Sequence, residues 1–231
     1  MLKIFAPLES GFHQTTDLQT ELFAVKRAMR LGVSVPKLIA EGAVEDRYYF
    51  AYMICEYVRG RQSSDAVKGM TEEEKFAFGQ KLRGITDRMN VACEPFNEFD
   101  AVRDVMRYRS WDKFPKSFRA ERLAYMAGRD FGERVFVHGD LCGDNIMIGG
   151  GGEVYLIDFA DALLAPKVYE YAAVVFDFWE EAAVVRGYLG DVSWEDVFDG
   201  LILHDFGGGM VRERFGEVGG LEDLRKRVGR L

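Results

Sequence analysis

Apolar positions along this chain change their period several times, and each change marks an element. Leu2-Lys3-Ile4-Phe5 opens a short strand candidate from Met1 to Ala6, with Lys3 inside the apolar run. From Thr16 to Leu31 the apolar residues Leu22, Val25 and Met29 recur at helical spacing. Asp17 is the expected N-cap and Gly32 the expected stop. Val35-Pro36-Lys37-Leu38-Ile39 and Tyr48 to Val58 are β-rich runs on either side of the polar Glu45-Asp46-Arg47, which predicts a hairpin. Arg59 to Asp65 is polar and reads as a flexible boundary. Thr71-Glu72-Glu73-Glu74 is a capping box opening a helix to about Met89. Asn90 to Asn97 reads as a loop, and Phe99 to Arg107 and Phe118 to Ala127 as helices separated by Pro115. Arg134 to Val137 is a strand. Asn145 to Ile148 and Val154 to Ile157 are two more, joined by four glycines from Gly149. Val168 to Val185 predicts one apolar helix. Ser193-Trp194-Glu195-Asp196 starts another that runs to about His204. Gly207-Gly208-Gly209 is a break, and the remainder to Leu231 forms one terminal helix.

Composition narrows the function classes. The 231 residues suffice for one large domain or two small lobes around a cleft, and 48% hydrophobic content provides a core. A net charge of -8 argues against a general nucleic-acid binder, whose phosphate contacts need a basic surface. Cys55, Cys93 and Cys142 are odd in number and widely spaced, which predicts no disulfide framework and a reducing, cytoplasmic setting. No signal peptide is expected. The longest apolar run, from Val168, is interrupted by Glu170, Asp177, Glu180 and Glu181, so no membrane segment is expected.

The candidate chemistry lies in Val137-His138-Gly139-Asp140-Leu141-Cys142-Gly143-Asp144-Asn145 and in Ile157-Asp158-Phe159. Asp140, Asn145 and Asp158 each stand at the end of a short apolar run. Buried strands of this kind deliver polar groups to a cleft. One carboxylate handling a hydroxyl proton, with an amide and a second carboxylate holding a metal, is the equipment of phosphoryl transfer. The four-glycine run is explained by a hairpin turn, since no helix follows it to make a phosphate loop.

The spacing His138-Gly139-Asp140 to Asn145, followed by Ile157-Asp158-Phe159, resembles the signature of the aminoglycoside phosphotransferase and choline kinase group. The resemblance covers roughly residues 1 to 185. It implies an α+β, two-lobed protein-kinase-like fold: a truncated N-terminal sheet lobe over residues 1–60, with the hinge at its end, and a mainly helical C-terminal lobe over 61–231. Asp140 would accept the proton of the attacking hydroxyl. Asn145 and Asp158 would bind Mg2+ bridging the nucleotide phosphates. Lys3 would bind phosphate and Glu21 would pair with it. Glu56 and Tyr57, in Met53-Ile54-Cys55-Glu56-Tyr57, would belong to the hinge that receives adenine. His138 is expected to organise the loop, and Glu170 to buttress it where the family often has an aspartate. Asp161 would assist either the metal or the loop.

The match departs from the family at the start. The family begins with two strands and a glycine-rich loop over the phosphates, whereas two residues precede Lys3 here, so a thinner lid is expected. His-Gly-Asp and Asp-Phe-Ala also differ from the protein-kinase forms. The expected function is therefore an ATP- and Mg2+-dependent small-molecule kinase that moves the γ-phosphate to a hydroxyl of a small polar acceptor. The alternative is a nucleotide-binding pseudokinase or scaffold, inactive for lack of the glycine-rich loop. The acidic residues Asp177, Glu180, Glu181, Asp191, Glu195 and Asp196 read as the solvated faces of helices rather than a cation-attracting surface.

Overall fold

Strand pairing around Tyr49–Cys55 builds the first layer. The computed structural model describes residues 1–10 and 14–230. Strands β1 (Leu2–Ile4) and β2 (Leu38–Glu45) flank β3 (Tyr49–Cys55), both antiparallel to it. Among the described residues this sheet has three strands, and β1 is paired on one side only. Lys3 stands opposite Met53 in the register, so both project from the same face. On that face Phe5, Met53 and Cys55 are buried beneath helix α1 (Gln14–Arg30), which contributes Leu18 and Leu22. On the other face Leu2, Ile4, Val44, Phe50, Tyr52 and Ile54 line an open apolar groove. Helix α1 begins before Thr16, so Asp17 lies in its first turn, where a carboxylate still suits the helix dipole.

The rest of the chain is mainly helical. The segment read as a flexible boundary is ordered: β4 (Gly60–Gln62) pairs with β6 (Ile146–Gly149), and α2 (Ser63–Ala66) follows it. Helix α3 (Glu72–Met89) has the expected capping box, with Glu74 N–H donating to Thr71 Oγ1 at 3.2 Å. Helix α4 (Lys116–Gly128) matches its apolar period. Strand β5 (Arg134–Val137) pairs with β8 (Leu163–Pro166), and β7 (Val154–Leu156) completes the glycine-turn hairpin with β6. Helix α5 (Val168–Asp177) is buried from Tyr169 to Phe176, as a helix apolar on nearly all sides must be, with Glu170 the one charged residue inside that stretch. Helices α6 (Ala182–Leu189), α7 (Trp194–Leu203), α8 (Gly207–Phe215) and α9 (Leu221–Val228) close around it. No helix among the described residues is long and apolar enough to cross a membrane.

Four further expectations are corrected. Residues 99–104 are not helical: Asp100 Oδ1 accepts the N–H groups of Val102 and Arg103 at 2.9 and 3.0 Å, and this local bonding competes with a helix. A 3-10 helix, Val105–Lys113, follows. The single helix expected from Val168 breaks after Asp177. There the carboxylates need solvent or a partner, and Glu181 pairs with Lys75 at 2.7 Å. Gly207-Gly208-Gly209 opens α8 instead of interrupting the chain. A Cβ on Gly207 would stand 2.2 Å from the Leu201 carbonyl oxygen and one on Gly208 2.4 Å from that of Ser110, so close backbone packing, not flexibility, explains the glycines. The terminal stretch is two helices, α8 and α9; Leu231 lies outside the described residues.

Helices α3 and α6 cross at the same kind of contact. A Cβ on Gly187 would lie 2.1 Å from the Phe76 carbonyl oxygen, whereas one on Gly84, on another face of α3, would meet nothing closer than Arg88 Nη1 at 3.9 Å. Overpacking costs about 1–3 kcal/mol, while replacing a helical glycine by alanine gains about 1 kcal/mol. Urea unfolding midpoints are therefore expected to fall for Gly187→Ala and rise for Gly84→Ala.

Candidate active site

Strand β5 ends at the buried Val137 and delivers the loop from His138 to Asn145. His138 is fully buried, and burial pushes its pKa down to about 4, so the ring is neutral. Its Nε2–H donates to the Ile157 carbonyl at 3.0 Å, tying this loop to the end of β7. Gly139 has φ +88, and a Cβ there would lie 2.0 Å from the Asp161 carbonyl oxygen; both facts require glycine. Asn145 Nδ2 donates to the Asp140 carbonyl at 2.8 Å and to Asp140 Oδ2 at 3.0 Å. The sequence pair Asp140 and Asn145 is thus one hydrogen-bonded unit. Burial, with Asp161 close by, pushes Asp140 up to about 6. Burial also pushes the Cys142 thiol up to about 11, which removes it as a nucleophile at neutral pH.

Asp158 leaves β7 with φ +61. Among the described residues it is the one non-glycine with positive φ, a strained conformation of the kind that collects at functional sites. The backbone turn aims its carboxylate at the sheet. Lys3 Nζ donates to Asp158 Oδ1 at 2.7 Å and to Glu21 Oε2 at 2.6 Å. Burial works to lower the Lys3 pKa, but the two carboxylates outweigh it and hold the ammonium charged. Burial raises the Glu21 pKa against the pull of Lys3. Lys3, Glu21, Met53, Cys55, Leu156 and Asp158 enclose a cavity of about 20 Å³ at this junction. Three of the predicted site residues therefore meet here, and two more, Asp140 and Asn145, meet in the adjoining loop. Glu56 and Tyr57 are exposed just beyond β3 and do not line the cavity. The Glu56 N–H is engaged by the Lys37 carbonyl at 2.9 Å.

A family model for the phosphotransferase enzyme family matches residues 2–202. The chain belongs to the phosphotransferase enzyme family. No curated protein matches this family member by sequence. Solved structures match it in fold. Choline kinase LicA from Streptococcus pneumoniae is 19% identical, with TM-score 0.61 over 99% of this chain and 84% of that one. A thermostable mutant of the aminoglycoside phosphotransferase APH(4)-Ia, in ternary complex with ADP and hygromycin B, is 14% identical, with TM-score 0.61 over 92% and 82%. The GDP and kanamycin complex of a further aminoglycoside phosphotransferase is 17% identical, with TM-score 0.61 over 92% and 77%. At these identities the likeness establishes the fold, an α+β kinase-like architecture.

The donor set of this phosphotransferase suits a hard cation. Among the described residues no group of three or more His, Cys, Asp or Glu side chains forms a metal cage. Asn145 uses its amide nitrogen on Asp140, which leaves a carbonyl oxygen as its donor to a metal, and Asp158 supplies a half-exposed carboxylate. Mg2+ is commonly held by one or two such oxygens, with phosphate and water completing the octahedron.

One group that sequence reasoning did not assign, and the buttress it expected at Glu170, also shape the loop. Ser63 Oγ donates to the Gly143 carbonyl at 3.0 Å, Ser64 Oγ to Asp144 Oδ1 at 2.5 Å and Gln62 Nε2 to the Asp144 carbonyl at 3.1 Å. The polarity of Arg59 to Asp65 was their signal. Deeper in, Glu170 Oε2 accepts the His138 N–H at 2.8 Å and Asn90 Nδ2 at 3.1 Å. Glu170 is fully buried, its Oε1 has no protein partner, and burial pushes its pKa from 4.5 up to about 7.

A carboxyl whose folded pKa exceeds its unfolded one binds more protons in the folded state between the two values. Stability from this group is therefore intact below about pH 4.5 and is lost as pH rises to about 7. The loss amounts to about 3 kcal/mol. Urea unfolding at pH 5 and pH 8 is expected to show this decline in the wild type and a much flatter profile in Glu170→Gln.

Proposed function

We propose that this family member transfers the γ-phosphate of ATP to a hydroxyl of a small polar molecule. The observation that carries the reading is the Lys3 ammonium held between Glu21 and Asp158, beside the Asp140–Asn145 unit. Its charge, fixed by two carboxylates, suits the phosphate oxygens of a nucleotide. Asp140 has a pKa near 6, so it is largely ionised at neutral pH yet basic enough to take a hydroxyl proton. The acceptor oxygen forms the new bond to phosphorus, the bond to the departing ADP oxygen breaks, and the hydroxyl proton passes to Asp140. Asn145 holds that carboxylate in place through its amide. Asn145 and Asp158 are the residues assigned to Mg2+, which when bound offsets charge on the phosphates. Glu56 and Tyr57 are assigned to the backbone segment that meets adenine, at the exposed end of β3. Fold neighbours carrying ADP with hygromycin B, or GDP with kanamycin, support a nucleotide and a small acceptor.

The test is single turnover with Mg·ATP across amino sugars, choline and other alcohols. Asp140→Ala is expected to lower the transfer rate by about 10²–10⁴-fold, the usual contribution of a positioned base. It should leave magnesium-dependent stabilisation by ATP in place, about 2.7 kcal/mol at 100 times the dissociation constant. Transfer unaffected by this change would refute the role of Asp140. Stabilisation by ATP without transfer to any alcohol would identify a nucleotide-binding scaffold instead.

A further inference from the structure

Helix α5 touches the loop between His138 and Asn145 at two places. Glu170, its third residue, accepts the His138 N–H from inside the core. Asp177, its last residue, accepts the Gly143 N–H at 2.6 Å through Oδ2. Residues seven apart are two helical turns apart and share a face. The two N–H groups bracket Asp140, one before it and one after.

Asp177 is poorly placed by local criteria. A carboxylate at a helix C-terminus opposes the dipole by about 0.3–1 kcal/mol. Burial and the nearby Asp144 both raise its pKa, Glu213 adds to this, and the Gly143 N–H and Arg214 act the other way. What Asp177 gains is the bond to Gly143, and the geometry is built around that bond. A Cβ on Gly143 would lie 3.0 Å from Asp177 Oδ2 and 3.0 Å from the Ser64 nitrogen. Gly143 is buried, and its carbonyl is held from the opposite side by Ser63 Oγ. Its N–H thus belongs to α5 and its carbonyl to α2.

We propose that Asp177 is a positioning residue for the transferase site, forming with Glu170 a two-point clamp that fixes the Asp140–Asn145 loop against helix α5. Its effect on turnover rests on the phosphoryl-transfer reading, whereas the clamp itself is a property of the fold. Gly143 lies between Asp140 and Asn145, so releasing its N–H loosens both together. Reacting groups displaced by roughly 1 Å cost on the order of 100-fold in rate. The contacts of Lys3 and Glu21 lie on other elements and are untouched.

The experiment compares Asp177→Ala with Asp177→Asn, which keeps an oxygen acceptor of the same reach. Amide hydrogen exchange of Gly143, read by NMR, is expected to accelerate about tenfold in the alanine variant, the equivalent of one ordinary hydrogen bond, and to stay close to wild type in the asparagine variant. In transfer assays Asp177→Ala is expected to lower kcat roughly 10- to 100-fold with the KM for ATP unchanged, and Asp177→Asn to recover most of it. Unchanged exchange in Asp177→Ala, or an asparagine variant no better than alanine, overturns the clamp. Faster exchange with kcat intact overturns the positioning role. If the wild type transfers no phosphate, exchange at Gly143 still decides the clamp, and the phosphoryl-transfer reading is what fails.

Discussion

The carboxyl of Glu170, sealed inside the helical core, constrains much of what surrounds it. A buried acceptor of this kind must be given donors, and those it takes are the amide of Asn90 at the end of α3 and the His138 N–H at the end of β5. Three elements distant in sequence are thereby held at one point. Removing the carboxyl would leave the buried His138 N–H without this acceptor, at about 1–3 kcal/mol, while Asn90 Nδ2 would keep the Phe136 carbonyl. The surrounding aromatic and aliphatic packing is less selective, because many arrangements of side chains fill volume. Hydrogen bonds to Glu170 Oε2 demand fixed distances and directions, so they select among those arrangements.

Charge is handled differently at the cleft. Asp140 feels Asp158, Asp161 and Asp177, and their repulsion adds to burial in raising its pKa. Lys3 offsets part of this negative field by binding Asp158 directly. That ion pair joins residues 155 positions apart and ties β1 to the loop after β7. It also lies where Asp158 is held at positive φ, so an electrostatic contact and a strained backbone support each other.

Much of this was legible in the sequence because the signals were local. The capping boxes at Thr71 and Ser193, the glycine hairpin between Ile148 and Val154, and the strands ending at Val137 and Leu156 all follow from short-range rules. Motif spacing put Asp140 and Asn145 in one loop, and the family resemblance paired Lys3 with Glu21, whereas the Lys3–Asp158 ion pair and the Asp140–Asn145 hydrogen bond were not anticipated. What was not legible depended on distant partners. Gly207 and Gly208 look like chain breakers until Leu201 and Ser110 are seen against them. Arg59 to Asp65 looks flexible because its strand partner, β6, lies some 80 residues away. Asp177 looked like a solvated helix end because the N–H it binds is on another element.

The two sides of the cleft also differ in how firmly they are built. Beneath the three-stranded sheet, the buried apolar residues are Phe5, Met53 and Cys55, whereas one larger buried cluster runs from Ala24, Val25 and Ala28 of α1 through the helical part to α9. Cooperative opening free energy follows buried contacts, so the sheet belongs to the low end of the molecule's stability range. The sheet is therefore the part expected to open first, over an intact helical base. Loosening of the sheet would draw Lys3 away from Asp158 while the Asp140–Asn145 loop stays on its helical base.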